Sequence, residues 1–219
     1  MELKQSLQDI RARIASVARG RSIELVGVSK KQPLEKMQAA HAAGLRVFGE
    51  NYVQEALGKM AQWHPADTEW HLIGPLQSNK CKEVAQHFDW LQSLDRAELI
   101  PRLARFRGAD RAPLNVLLQV NIDDETSKSG CAPDAVLALA GEVAREPSLR
   151  LRGIMSIPAP WPEHRQRSAS FARLKRLFDE LRETFDVDTL SMGMSEDFEL
   201  AVAQGATMVR VGSALFGAR

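Results

Sequence analysis

Eight short apolar runs alternate with longer amphipathic stretches along this chain, and that alternation constrains the fold more than any other feature. The pattern predicts strands at Ile23–Ser29, Leu45–Phe48, Trp70–Ile73, Asp89–Ser93, Leu114–Val120, Leu151–Ser156, Thr189–Met192 and Met208–Val211. Runs this short and this continuous are what a parallel strand buried on both faces requires. Between them, apolar residues at spacings of three and four predict helices near Leu34–Ala43, Glu50–Ala61, Ser78–Gln86, Arg96–Arg107, Pro133–Arg145, Glu163–Phe185 and Glu196–Gln204. An additional helix precedes the first strand, with Leu3, Leu7, Ile10, Ile14 and Val17 on one stripe between Met1 and Gly20. Strand–helix alternation without a linker-like break predicts one (β/α)8 barrel over residues 1–219. The rival is an open doubly wound sheet, and no Gly-x-Gly-x-x-Gly follows the first strand to support its dinucleotide-binding form.

Composition narrows the function classes. A formal charge of +1 on 219 residues gives no field for steering nucleic acid or an anionic membrane, so neither is expected as a partner. No stretch reads as a bilayer span or a signal peptide, so the expectation is a cytoplasmic protein. Cys81 and Cys131 make neither a disulfide framework nor a metal cluster, and they read as free thiols in a reducing compartment. Asp123-Asp124-Glu125, with Lys128 following, reads as a solvated loop in preference to a metal site.

In a barrel the C-terminal ends of all strands open onto one face, where the active sites of this fold are built. Polar clusters recur at those ends here: Gly49-Glu50-Asn51, Gly74 with Gln77-Ser78-Asn79-Lys80, Gln119-Val120-Asn121, and Ser191-Met192-Gly193-Met194-Ser195. First and last strands are neighbours, so Lys30 and Arg210 would share one edge of that face. A lysine at an apolar mouth is desolvated, which frees its amine as a nucleophile. Lys31 is adjacent, and strand parity alone leaves open which of the two points inward. Ser195, Gly212 and Ser213 lie after the seventh and eighth strands, where barrels often bind phosphate. Ser195 also stands where it would cap a helix beginning at Glu196. The plain alternative for Arg210 is a salt bridge at the mouth with Glu50 or Glu24, and for His71 a satisfied place in the core.

The segments Val28-Ser29-Lys30, Phe48-Gly49-Glu50-Asn51-Tyr52, His71 to Lys80, Ser191 to Ser195 and Val209 to Gly217 together resemble the pyridoxal phosphate homeostasis proteins. The resemblance runs from about Leu25 to Phe216. It implies the barrel of the alanine racemase N-terminal domain, a fold type III pyridoxal-phosphate barrel, here without the C-terminal β domain. It also implies pyridoxal 5′-phosphate held as an aldimine on Lys30, with Arg210 facing the pyridine nitrogen. Ser195, Gly212 and Ser213 would hold the phosphate, Asn51 would lie beside the ring, and Met155 would pack against it. Gln32 departs from the pattern, since relatives commonly carry a second lysine there.

Racemases of this barrel use a tyrosine from a further domain as their second acid–base group. The chain ends soon after the last predicted strand, and its one tyrosine is Tyr52. The expectation is therefore a monomeric cofactor-binding protein without robust catalysis, serving storage, buffering or delivery to pyridoxal-phosphate-dependent apo-enzymes. Weak racemase or decarboxylase activity is the alternative.

Overall fold

In the computed structural model, which describes residues 2–125, 129–159 and 161–217, each apolar run becomes a parallel strand. Lys128 lies outside the described residues. The strands are β1 (Glu24–Val28), β2 (Val47–Glu50), β3 (Glu69–Leu72), β4 (Trp90–Leu94), β5 (Leu114–Gln119), β6 (Leu149–Met155), β7 (Thr189–Ser191) and β8 (Met208–Val211). They close in sequence order into one barrel, with β1 pairing β8 through Leu25 opposite Val209 and Val26 opposite Arg210. Closure excludes the open sheet.

The helices are α1 (Glu2–Ala18), α2 (Leu34–Ala42), α3 (Val53–Gln62), α4 (Cys81–His87), α5 (Ile100–Phe106), α6 (Val136–Ala144), α7 (His164–Thr184), α8 (Phe198–Ala203) and α9 (Ser213–Phe216). Helix α1 buries Leu7, Ile10 and Ile14 of the expected stripe, with Leu3 and Val17 partly buried beside them and Ala18 taking the last buried place. Each such aliphatic side chain contributes about 1.5–3 kcal/mol when fully buried. Several helices start later than expected, α4 at Cys81, α5 at Ile100, α6 at Val136 and α8 at Phe198. Glu50 closes β2 and is fully buried, so α3 starts later, at Val53. The short helix α9 was not anticipated from the pattern, because Gly212-Ser213 reads as a turn.

The main core lies between barrel and helices, around Phe48, Trp70, Phe88, Phe171 and Phe198. A smaller cluster fills the barrel itself: Val26, Val47, Trp90, Leu117, Met155 and Met208. Two register shifts interrupt the barrel ladders, one in the β4–β5 pairing between Leu91 and Leu94 and one in the β5–β6 pairing. Val116 pairs with Leu151 but Leu117 pairs with Gly153, so Arg152 is an extra residue in β6. Gly153 takes φ 144°, and a Cβ there would stand 2.0 Å from the Thr189 carbonyl oxygen. Arg152 then lies over the Trp90 ring at 4.6 Å and grips both Asp188 oxygens at 2.9 and 2.7 Å. Among the described residues no helix is long and apolar enough to cross a membrane.

Candidate functional site

A cavity of about 550 Å³ opens at the C-terminal face of the barrel. Val28 and Lys30 line it from the end of β1, and Arg210, Gly212 and Ser213 line it from the end of β8. Ile157, Pro158, Ala159, Trp161 and Pro162 after β6, the loop after β7 (Gly193 to Asp197) and Arg167 of α7 complete the wall. Side chains alternate along a strand, so Val26, Val28 and Lys30 share the inward parity. Lys31 faces the other way and is exposed. The structure thus brings Lys30 and Arg210 to one cavity, and Lys30 is the lysine that lines it.

Lys30 sits in a tight turn. The Gln32 N–H donates to the Ser29 carbonyl oxygen at 3.0 Å, and Lys31, third residue of the turn, takes φ 58°. That left-handed position usually falls to Gly or Asn. The turn rests on a buried polar cluster. Glu50 Oε1 accepts from the Ser29 hydroxyl at 2.6 Å and from Lys59 Nζ at 2.7 Å. Lys59 Nζ also donates to the Ser29 carbonyl at 2.8 Å and to Glu55 Oε1 at 2.7 Å. Burial pushes the Glu50 carboxyl above its ordinary range, against the pull of Lys59 and Ser29.

Arg210 does not form the alternative salt bridge with Glu50 or Glu24. Its Nη1 donates to the Ser191 hydroxyl at 2.6 Å and its Nη2 to the Ser156 carbonyl at 2.9 Å. Glu50 pairs with Lys59 instead. Burial pulls the Arg210 guanidinium down to about 10, which still leaves it charged at neutral pH. From Ser191 a file of contacts runs down the barrel. The Ser191 hydroxyl donates to Gln92 Oε1 at 2.7 Å, and Gln92 Nε2 reaches His71 Nδ1 at 2.8 Å and Met208 Sδ at 3.2 Å. His71 Nε2 lies 3.4 Å from Glu69 Oε2 at the far end. His71 is fully buried and stacks on Trp90 with centroids 5.0 Å apart, as expected of a satisfied core histidine. Desolvation holds its imidazole below the usual range, that is, neutral.

Ser195 does not cap a helix at Glu196, because α8 begins at Phe198. Asp197 precedes α8 and makes no side-chain bond to its first turn; its Oδ1 instead braces the loop, accepting from the Met194 N–H at 2.7 Å. That frees the Ser195 hydroxyl to accept from the Gly212 N–H at 3.2 Å and the Ala214 N–H at 3.4 Å. One hydroxyl and the amides of a short loop are therefore gathered at the β8 side of the cavity.

Sequence reasoning missed Asp123, which is not in a solvated loop. Its side chain is 2% exposed. It accepts from the Ala159 N–H at 2.7 Å, the Trp161 indole at 3.3 Å, the Ser170 hydroxyl at 2.7 Å and the Arg173 guanidinium. One carboxylate ties the cavity's β6 wall to α7. No local signal marks it, since its partners lie more than thirty positions away in sequence. Asn51 and Met155 are not among the residues lining the cavity. Met155 is wholly inside the barrel cluster, and Asn51 sits at the end of β2 with its Oδ1 buried and without a hydrogen-bond partner. Gly74 packs directly on Asn51, where a Cβ would stand 2.2 Å from its carbonyl oxygen. Tyr52 is 54% exposed and lies outside the lining.

The model of the alanine racemase N-terminal domain matches residues 5–219. A pyridoxal phosphate homeostasis protein of Pseudomonas aeruginosa is 50% identical over 222 residues, covering 99% of this chain and 96% of that one. A protein of the same name from Escherichia coli K12 is 46% identical over 233 residues, covering 100% and 97%. Among solved structures, PipY of Synechococcus elongatus PCC7942 with PLP bound superposes with a TM-score of 0.88 at 36% identity, covering 98% of this chain and 100% of that chain.

Proposed function

Since the chain belongs to the alanine racemase N-terminal-domain family and, within it, to the pyridoxal phosphate homeostasis proteins, we propose that it binds pyridoxal 5′-phosphate and stores, buffers or delivers it. The observation that carries this reading is the presence of Lys30 and Arg210 in one cavity, with the Ser195 hydroxyl and loop amides beside them. That donor set fits the group. When bound, the cofactor supplies an aldehyde that a neutral amine captures reversibly with loss of water, a pyridine nitrogen and a phosphate.

Lys30 is the capturing amine. Arg210 faces the ring nitrogen, and because a guanidinium only donates, it keeps that nitrogen unprotonated and the ring a weak electron sink. Ser195, Gly212 and Ser213 hold the phosphate through hydroxyl and amide donors. Asn51, with its buried and unpartnered Oδ1, and Met155, enclosed in the barrel cluster, do not line the cavity and stand behind its wall, supporting the site without touching the ring.

The protein runs no robust reaction of its own. Stereoinversion needs a proton donor and an acceptor on opposite faces. Neither Tyr52, largely exposed, nor His71, engaged inside the barrel, lines the cavity opposite Lys30. Apo-enzymes that need the cofactor are the recipients, and the protein acts as a monomer. Cys81 and Cys131, both free thiols, suit the cytoplasm.

Peptide mass mapping after borohydride reduction of the pyridoxal-phosphate-loaded protein tests the proposal. A phosphopyridoxyl group on Lys30 is expected. Absence of the group, or its confinement to Lys31, overturns it. Exchange of an amino acid's α-proton faster than with free cofactor would overturn the non-catalytic part.

A further inference from the structure

We infer that Lys59, on α3, is a positioning residue for Lys30, setting the turn that aims the cavity amine; this rests on the cofactor-binding reading above. Lysine is almost never buried unless its charge is fully paired, and Lys59 is buried. Its ammonium spends its donors on the Ser29 carbonyl, Glu50 Oε1 and Glu55 Oε1. Every one of those acceptors leads to a chain neighbour of Lys30. Ser29 precedes it, and the Ser29 hydroxyl is bound by the same Glu50 oxygen. Lys31 follows it, and the Lys31 N–H donates to the same Glu55 oxygen at 2.5 Å.

The Ser29 carbonyl that Lys59 holds is also the acceptor that closes the turn with Gln32. A non-glycine residue in the left-handed region persists only where its surroundings over-determine it. Here the hub is a single ammonium, which binds the turn before Lys30 directly and the turn after it through Glu55. Lys59 therefore acts through backbone placement and need not touch the bound molecule. Among the described residues, the Ser195 hydroxyl on the phosphate side of the cavity is bonded to the Gly212 and Ala214 amides, apart from the contacts of this cluster. That separation makes the role measurable. Loss of Lys59 moves the amine and leaves the cradle.

The experiment uses the full chain and its Lys59→Met variant with two probes. Pyridoxal 5′-phosphate with cyanoborohydride reports the rate and site of covalent capture, and pyridoxine 5′-phosphate, which lacks the aldehyde, reports the cradle alone. Expected in Lys59→Met is a fall of about tenfold or more in capture at Lys30, the scale on which small misplacement of a reacting group is felt. Capture at Lys31 gains at its expense, and affinity for pyridoxine 5′-phosphate stays within about twofold, far inside that scale. Unchanged capture at Lys30 overturns the inference. So does an equal fall in capture and in pyridoxine 5′-phosphate affinity, which marks general loosening. If wild-type protein itself captures nothing on Lys30, the cofactor reading fails, and the inference fails with it. Should Lys59→Met not fold by circular dichroism, Glu55→Ala removes only the Lys31 acceptor and one of the Lys59 partners. It is expected to slow capture at Lys30 by about threefold, a hydrogen bond's share, and an unchanged rate there overturns the inference.

Discussion

Replacing Ser191 with alanine removes the link between the guanidinium at the mouth and the amide in the barrel's centre. Two contacts go at once: Arg210 Nη1 loses its acceptor at 2.6 Å, and Gln92 Oε1 loses its donor at 2.7 Å. Ser191, Gln92 and Arg210 are all buried, so water does not replace what is lost. A hydrogen bond to a charged group contributes about 2–3 kcal/mol and a neutral one about 1 kcal/mol. Against this, the variant no longer desolvates a hydroxyl, which returns about 1 kcal/mol. The missing oxygen leaves too small a void to add a packing cost. The net expectation is a loss of about 2–3 kcal/mol, or about 8 °C in melting temperature for a domain of this size. Urea unfolding at pH 7, where Arg210 is charged, reads it as a lowered midpoint with the slope unchanged. Gln92→Leu in the same background should then cost less than it does alone, by about 1 kcal/mol of coupling. A loss below about 0.5 kcal/mol, the level of an ordinary surface change, together with strict additivity, would refute the argument.

Three further outcomes are expected. His71 is held neutral in the folded state, with its affinity for protons below that of an unfolded histidine. The unfolded chain then binds more protons as pH falls below about 6.5, so folded stability drops through that window. His71→Asn keeps an acceptor for Gln92 without titrating, and urea midpoints at pH 7 and pH 5.5 should differ less in the variant than in wild type. Ser195→Ala should weaken retention of pyridoxal 5′-phosphate by about 1 kcal/mol, roughly fivefold, in equilibrium dialysis; equal retention would leave the hydroxyl as a loop brace only. Asp123→Ala should raise amide exchange selectively at Ala159 and Trp161, because the Ala159 N–H and the Trp161 indole lose their acceptor; protection equal to wild type would show that the loop is held by other means.

The barrel was legible because parallel strands advertise themselves as apolar runs, and all eight lie within a few residues of their expected places. Lys30 and Arg210 were legible as a pair once first and last strands were taken as neighbours. What was illegible is contact chemistry across strands. Ser29, Lys59 and Glu55 look like unrelated residues in sequence, and the left-handed Lys31 breaks the usual preference for Gly or Asn in such a turn. Ser195 followed by Glu196 reads as a helix start, yet Asp197 holds the Met194 N–H and the hydroxyl turns to the β8 loop. Asp123 was misread for a related reason. A carboxylate beside two other acids suggests water, and only the fold shows four donors converging on it.

The file of polar groups inside the barrel has a sense of direction. It begins at Arg210, a group that can only give hydrogen bonds, and ends at Glu69, a carboxylate kept ionised by His71 that can only receive them. Every hydrogen between is then oriented: the Ser191 hydroxyl points to Gln92, the amide presents its NH₂ to His71, and the imidazole carries its proton on Nε2. No member can reverse alone, since a single flip sets donor against donor. Glu69 is 54% exposed at the end of the barrel opposite the cavity. The lumen of this barrel is thus a polarised column, and the two faces of the molecule share one arrangement of protons.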